Sequence, residues 1–316
     1  GAEYLLLGEK PVTWKCRDSI LILLSMVEDL TESVEGEAAA SVWRRFLPPS
    51  WEQFLYPQEH PWNKPVFNKE FRFKPKSPPV ALKAAPISVD EVEEPQVLDN
   101  FFPGSNAWVY RGPEGVYVAN DPHLGTSVPQ LWYPIRLKRS ADEWAVGAAI
   151  PGLPGVVLGR NAHIGWGFTN VGEDVDDLLE EETSSDGLKY VARLSGATKI
   201  WKTIERRPYV IKIRGAADRK GEALFTHRGP LAKRDNLGDK FYSRQWLAFK
   251  PGILRMPTTQ MMTSTNWDAF NLAADAFTAP AQAIVFGQKD GGIGLRVSGL
   301  GVQRKRTGLV PQPALE

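Results

Sequence analysis

The sequence holds a single cysteine, Cys16, among 316 residues. An intramolecular disulfide is therefore excluded, and a cysteine-built metal centre lacks its thiolates. Long apolar runs are missing too. The stretch at residues 20–26 is far below the roughly 20 residues that span a bilayer, and no basic segment followed by an apolar core opens the chain. Neither sign of charge dominates: 38 Lys and Arg face 37 Asp and Glu, for a net charge of +1. That balance offers no basic field for nucleic acid and no acidic tail. Histidine is scarce, with only His60, His123, His163 and His227. No Walker A loop, Gly-x-Ser-x-Gly elbow, His-Glu-x-x-His pair or dinucleotide glycine fingerprint occurs. A conventional Ser-His-Asp triad has no local signal.

What is abundant is turn chemistry and aromatic bulk, with 28 Gly, 25 Pro and 11 Trp, and a hydrophobic fraction of 42% that can bury a sizeable core. The first third reads helical. Asp18 or Ser19 can cap a helix whose apolar positions Ile20, Leu23, Leu24, Val27 and Leu30 recur at three- and four-residue spacing. Residues 37–46 suit a second helix stopped by Pro48-Pro49. Residues 59–87 read as an irregular connector rich in Pro and Lys, and an acidic stretch at 90–94 precedes Phe101-Phe102-Pro103-Gly104. From Ser105 onward strands prevail. Residues 107–110 and 116–119 flank Gly112-Pro113-Glu114-Gly115 as a hairpin, with further strands at 144–150, 155–158, 209–214 and 283–286, and a helix at 266–277. Helices first and strands after indicate α+β rather than alternating βαβ units.

Two segments carry the chemistry. One is Gly104-Ser105-Asn106-Ala107-Trp108-Val109 with Ala119-Asn120-Asp121-Pro122-His123-Leu124. The other runs from Pro151-Gly152-Leu153-Pro154 through Gly159-Arg160-Asn161 to Gly165-Trp166-Gly167-Phe168-Thr169-Asn170. With Leu5-Leu6-Leu7-Gly8, Thr226-His227-Arg228-Gly229-Pro230 and Asn266-Trp267-Asp268-Ala269-Phe270, they make the chain resemble penicillin acylases and acyl-homoserine lactone acylases. The resemblance runs in order along nearly the whole chain. It implies an N-terminal-nucleophile hydrolase with part of a four-layer αββα sandwich. Residues 1–104 would be the end of an α chain plus connector, and residues 105–316 the start of a β chain.

On this resemblance the nucleophile is Ser105, freed by autocleavage after Gly104. A serine hydroxyl is weak at neutral pH, but a freed α-amine titrating near pH 8 can take its proton. His123 matches the position beside the nucleophile; a plain structural histidine after a proline turn is the alternative. Asn170 matches the residue whose backbone N–H serves an oxyanion hole. Met26, Leu30, Leu124, Leu158 and Phe168 match acyl-pocket positions, against the alternative of ordinary core. The acids at 173–177 match a calcium loop, with Glu173, Val175 and Asp176 as ligands joined by Glu37 or Glu35; a solvated acidic turn is the alternative.

The chain departs from the pattern at Arg160, where relatives carry histidine, and it contains no Ala-Asn-Asn triplet, whose asparagine completes the oxyanion hole. The resemblance thus implies a central acylase segment that hydrolyses a β-lactam or N-acyl homoserine lactone-type amide and is exported, many relatives being periplasmic. Two other readings stand beside it. One is a catalytically inactive fragment that binds ligand or a complementary chain; the other is a metal-assisted hydrolase built on His123, Asp121 and the acids at 173–177.

Overall fold

A computed structural model of the chain describes residues 2–31, 34–48, 51, 104–124, 128–304 and 308–315. The connector at 59–87 and the acidic stretch at 90–94 lie outside the described residues. The helices are α1 Ala2–Leu7, α2 Cys16–Asp29, α3 Val34–Phe46, α4 Thr258–Thr263 and α5 Trp267–Asp275. The strands are β1 Gly104–Gly112, β2 Gly115–His123, β3 Tyr133–Lys138, β4 Trp144–Ala149, β5 Leu158–Asn161, β6 Ile164–Asn170, β7 Asp176–Glu181, β8 Lys189–Ser195, β9 Thr198–Thr203, β10 Glu205–Ile211, β11 Arg219–Phe225, β12 Pro230–Lys233, β13 Phe241–Trp246, β14 Gln282–Gln288, β15 Ile293–Ser298 and β16 Gln312–Pro313. No described helix is long and apolar enough to cross a membrane.

Several element boundaries differ from the sequence reading, each for a local reason. Helix α2 starts at Cys16, before the expected cap. Asp18 sits inside the first turn, and its carboxylate accepts the Lys15 backbone N–H at 2.8 Å. Strand β5 begins only at Leu158, because residues 151–157 form turns in which Gly152 and Gly155 adopt positive φ. Strand β10 ends at Ile211, short of the expected 214. Asn266 does cap α5, its side chain accepting the Ala269 N–H at 2.9 Å.

The chain divides into two compact units. The first comprises Gly1–Ser33, Phe101–Asp176 and Gln245–Lys305. It contains a six-stranded sheet in the order β15-β14-β6-β5-β4-β3 and the β1–β2 hairpin. Alternation along β6 and β14 explains the layers. Trp166, Phe168, Ile284 and Phe286 point to one side, where Met261, Phe270, Ala274 and Phe277 of the helical layer complete a buried core. Between them, Gly165, Gly167 and Gly287 face the hairpin. A Cβ on Gly287 would lie 2.6 Å from Val116 and 2.7 Å from Val118, and one on Gly167 would lie 2.9 Å from Asn120. Glycine here lets two backbones approach closely. Helix α2 buries Leu23, Met26 and Val27 against Ile150, Leu153 and Val157.

The second unit comprises Val34–Asn100, Asp177–Arg244 and Arg306–Glu316. Its sheet runs β10-β11-β12-β13-β7-β16, with β8–β9 as a separate hairpin. Val34 and Ala38 of α3 pack on Leu178, Leu237 and Tyr242. Inside it, Arg228 donates to both oxygens of the fully buried Glu181 carboxylate, at 3.0 and 2.9 Å. Ser243 donates to the same carboxylate at 2.6 Å.

Candidate active site

Ser105 is the second residue of β1 and opposes Pro122 of β2. Its hydroxyl donates to the carbonyl oxygen of Gly104 at 2.6 Å, so the candidate nucleophile already sits against the carbonyl of the candidate scissile bond. An added Cβ on Gly104 would meet, among the described residues, only His123 Nδ1, at an ordinary 3.9 Å. Crowding by the described residues therefore does not demand glycine there.

The pairing register separates His123 from Ser105. Gly104 opposes His123, and Ser105 opposes Pro122, so side chains at 105 and 123 lie on opposite faces of the hairpin. The His123 ring pairs instead with Asp121, its Nε2 lying 2.7 Å from Oδ2. The hairpin's outward face also carries Trp108, Tyr110 and Tyr117, exposed by 55%, 57% and 47%. The inward face carries Asn120, a residue the motif reading quoted without a role. Its amide donates to the Asn106 carbonyl at 3.0 Å and the Phe168 carbonyl at 2.9 Å. Its Oδ1 accepts the Phe168 N–H at 2.7 Å. Asn120 thus fastens the Ser105 strand to β6.

Beside Ser105 lies a cavity of about 60 Å³. Met26, Leu30, Leu124, Leu158 and Phe168 all line it, as does Asn170. Sequence reasoning missed further wall residues, among them Trp132, Val157, Met256, Phe277 and Gln282. None belongs to a motif, and only the tertiary packing of distant segments assembles them. Asn170, at the end of β6, uses its side chain structurally. Nδ2 donates to the Leu30 carbonyl at the end of α2 at 2.7 Å, and Oδ1 accepts from Gln282 Nε2 at 3.1 Å.

The second motif segment has its own support. Asn161 is buried and donates to the Met262 and Ser264 carbonyls at 3.0 and 2.7 Å. Its Oδ1 accepts the N–H groups of His163 and Ile164. Arg160, the departure from the family pattern, lays its guanidinium 5.0 Å from the centre of the Trp144 ring.

The expected calcium ligands are differently engaged. Glu37 accepts the Leu178 N–H at 3.2 Å. Glu173 is exposed, Asp176 is buried, and the Val175 carbonyl accepts the Leu247 N–H at 2.9 Å. Between Glu173 and Val175, Asp174 is held by Arg304, which donates to its carbonyl and to its carboxylate, each at 2.9 Å. Among the described residues no group of three or more His, Cys, Asp or Glu is placed to hold a metal.

A strand-leading serine above an apolar cavity, on a glycine-packed pair of sheets backed by helices, defines a class of hydrolase fold. A solved structure of that class agrees: thermostable penicillin G acylase from Alcaligenes faecalis aligns with TM-score 0.51 and 24% identity over 62% of this chain and 35% of its own. The penicillin amidase family profile matches residues 1–316, and the chain belongs to that family. Among curated relatives, the acyl-homoserine lactone acylase QuiP of Pseudomonas aeruginosa is 28% identical over 97% of this chain and 38% of its own length. The penicillin acylase 2 proenzyme of a Pseudomonas species is 28% identical over 42% of this chain and 17% of its own length. The chain thus spans well under half the length of the curated relatives it matches.

Proposed function

We propose that this chain is the nucleophile-bearing part of an acylase that matures by cutting its own Gly104–Ser105 bond. The observation that carries this reading is the Ser105 hydroxyl seated on the Gly104 carbonyl at the rim of an apolar cavity. In the first step Ser105 Oγ attacks the Gly104 carbonyl carbon, and the peptide becomes an ester with release of the Ser105 amine. Water then hydrolyses the ester and leaves a carboxylate on Gly104. The freed amine takes the hydroxyl proton when Ser105 attacks a substrate amide, and passes it to the departing amine. The acyl group, lodged between Met26, Leu30, Leu124, Leu158 and Phe168, is then released by water. The Asn170 backbone N–H is assigned to the oxyanion.

His123 enters this scheme as support for the outward hairpin face, through Asp121, and not as a proton shuttle. This scheme assigns calcium no role and reads the Arg304–Asp174 pair as what holds that loop. An N-acyl homoserine lactone or a β-lactam amide is the proposed substrate, by likeness to the named relatives, and export to the periplasm is proposed on the same ground. Intact-mass spectrometry of wild type beside Ser105→Ala tests the reading. Two fragments meeting between Gly104 and Ser105 in wild type alone support it; one uncut mass in both refutes self-maturation.

A second reading has one specific observation in its favour. The exposed aromatic face of Trp108, Tyr110 and Tyr117 suits coverage by a complementary chain. Under that reading the protein acts as an inactive binding partner, and an uncut chain would lead to it.

A further inference from the structure

The donors around the cavity differ in one respect. Ser105 Oγ donates to the Gly104 carbonyl, Asn170 Nδ2 to the Leu30 carbonyl, and Gln282 Nε2 to Asn170 Oδ1 and the Ala281 carbonyl. Trp132 Nε1, in the same lining, is buried and has no acceptor among the described residues. Buried indole N–H groups normally find a partner. Trp166, in the same unit, obeys this by donating to the Val157 carbonyl at 2.8 Å. A resident water is a poor answer for Trp132, because a buried water needs two to four polar partners and the ring packs within an apolar cluster.

We propose that Trp132 determines acyl specificity: its N–H donates to an oxygen carried along the acyl chain, so that oxygen-bearing acyl groups are preferred to plain alkyl ones. This rests on the acylase reading of the cavity and narrows its substrate class. Discrimination arises because an alkyl chain leaves the donor unpaired, whereas a carbonyl, hydroxyl or ether oxygen satisfies it.

The test uses the full chain carrying Ser105→Ala, so that nothing turns over. It is titrated with hexanamide and with its 3-, 4- and 5-oxo analogues, short amides that suit a small cavity. Indole N–H signals are followed by NMR, with Trp132 assigned by its loss in Trp132→Phe. At least one oxo amide should bind about five- to tenfold tighter than hexanamide and move the Trp132 N–H signal downfield. In Trp132→Phe the four amides should bind alike. Equal binding of all four with Trp132 in place overturns the proposal without any variant at that position. So does a preference that survives in Trp132→Phe, or failure of all four to bind. The autocleavage experiment stands apart. An uncut chain that shows the preference loses the acylase reading and keeps this one; a cut chain without the preference does the reverse.

Discussion

Asn120→Ala removes three hydrogen bonds at once: two donated to the carbonyls of Asn106 and Phe168 and one accepted from the Phe168 N–H. Each is a neutral bond with a net worth of about 0.5–1.5 kcal/mol. The site is half-buried, so water can reach part of what is orphaned, and the sum falls at about 2–4 kcal/mol. For a unit of this size each kcal/mol lowers Tm by about 2–4 °C, which places the drop at about 5–15 °C in calorimetry. Asn120→Asp sharpens the test. The carboxylate keeps an acceptor for the Phe168 N–H but turns lone pairs toward the two carbonyls, so its loss should be at least as large. Because the clamp holds the strand carrying Ser105, cleavage between Gly104 and Ser105 should slow in both variants. A Tm within about 2 °C of wild type for Asn120→Ala, on the same scale, would refute the reasoning, as would wild-type stability in Asn120→Asp.

Arg228→Ala leaves the buried Glu181 carboxylate without its bidentate partner and should cost about 3–5 kcal/mol in denaturant unfolding; a loss below about 1 kcal/mol, the value of an exposed pair, would contradict the buried-network account. Burial, with Arg228 and Lys202 adding to it, holds the His227 pKa below its ordinary value, while Glu181 opposes the shift. A lowered histidine pKa means the unfolded chain binds the proton more readily, so stability present above about pH 6.5 should be lost as pH falls through the folded value. Wild type should therefore lose more Tm on acidification than His227→Gln, and parallel losses would count against this. Chelator should leave Tm unchanged, whereas Arg304→Met should cost about 1–3 kcal/mol of stability, the loss of a part-buried charge-assisted hydrogen bond; a chelator-induced drop in Tm would instead assign the loop to a cation.

Much of this protein can be read locally from its residues. Three- and four-residue spacing marks α2, Gly112-Pro113-Glu114-Gly115 marks the β1–β2 turn, and Asn266 marks the start of α5, because each depends on groups only a few positions apart. The matched segments named Ser105 and the five apolar positions that line the cavity beside it. Side-chain direction and long-range partnership were decided only on folding. The strand register turns His123 away from Ser105, and Asn120 gains its role from Phe168, 48 positions later. Asn170 ties to Leu30 across 140 positions, and Trp132 meets the cavity through no motif at all. Hydrogen bonds and apolar contacts act over a few ångströms in space. A sequence orders its residues along one dimension, so partners that far apart become neighbours only when the sheets and helices close.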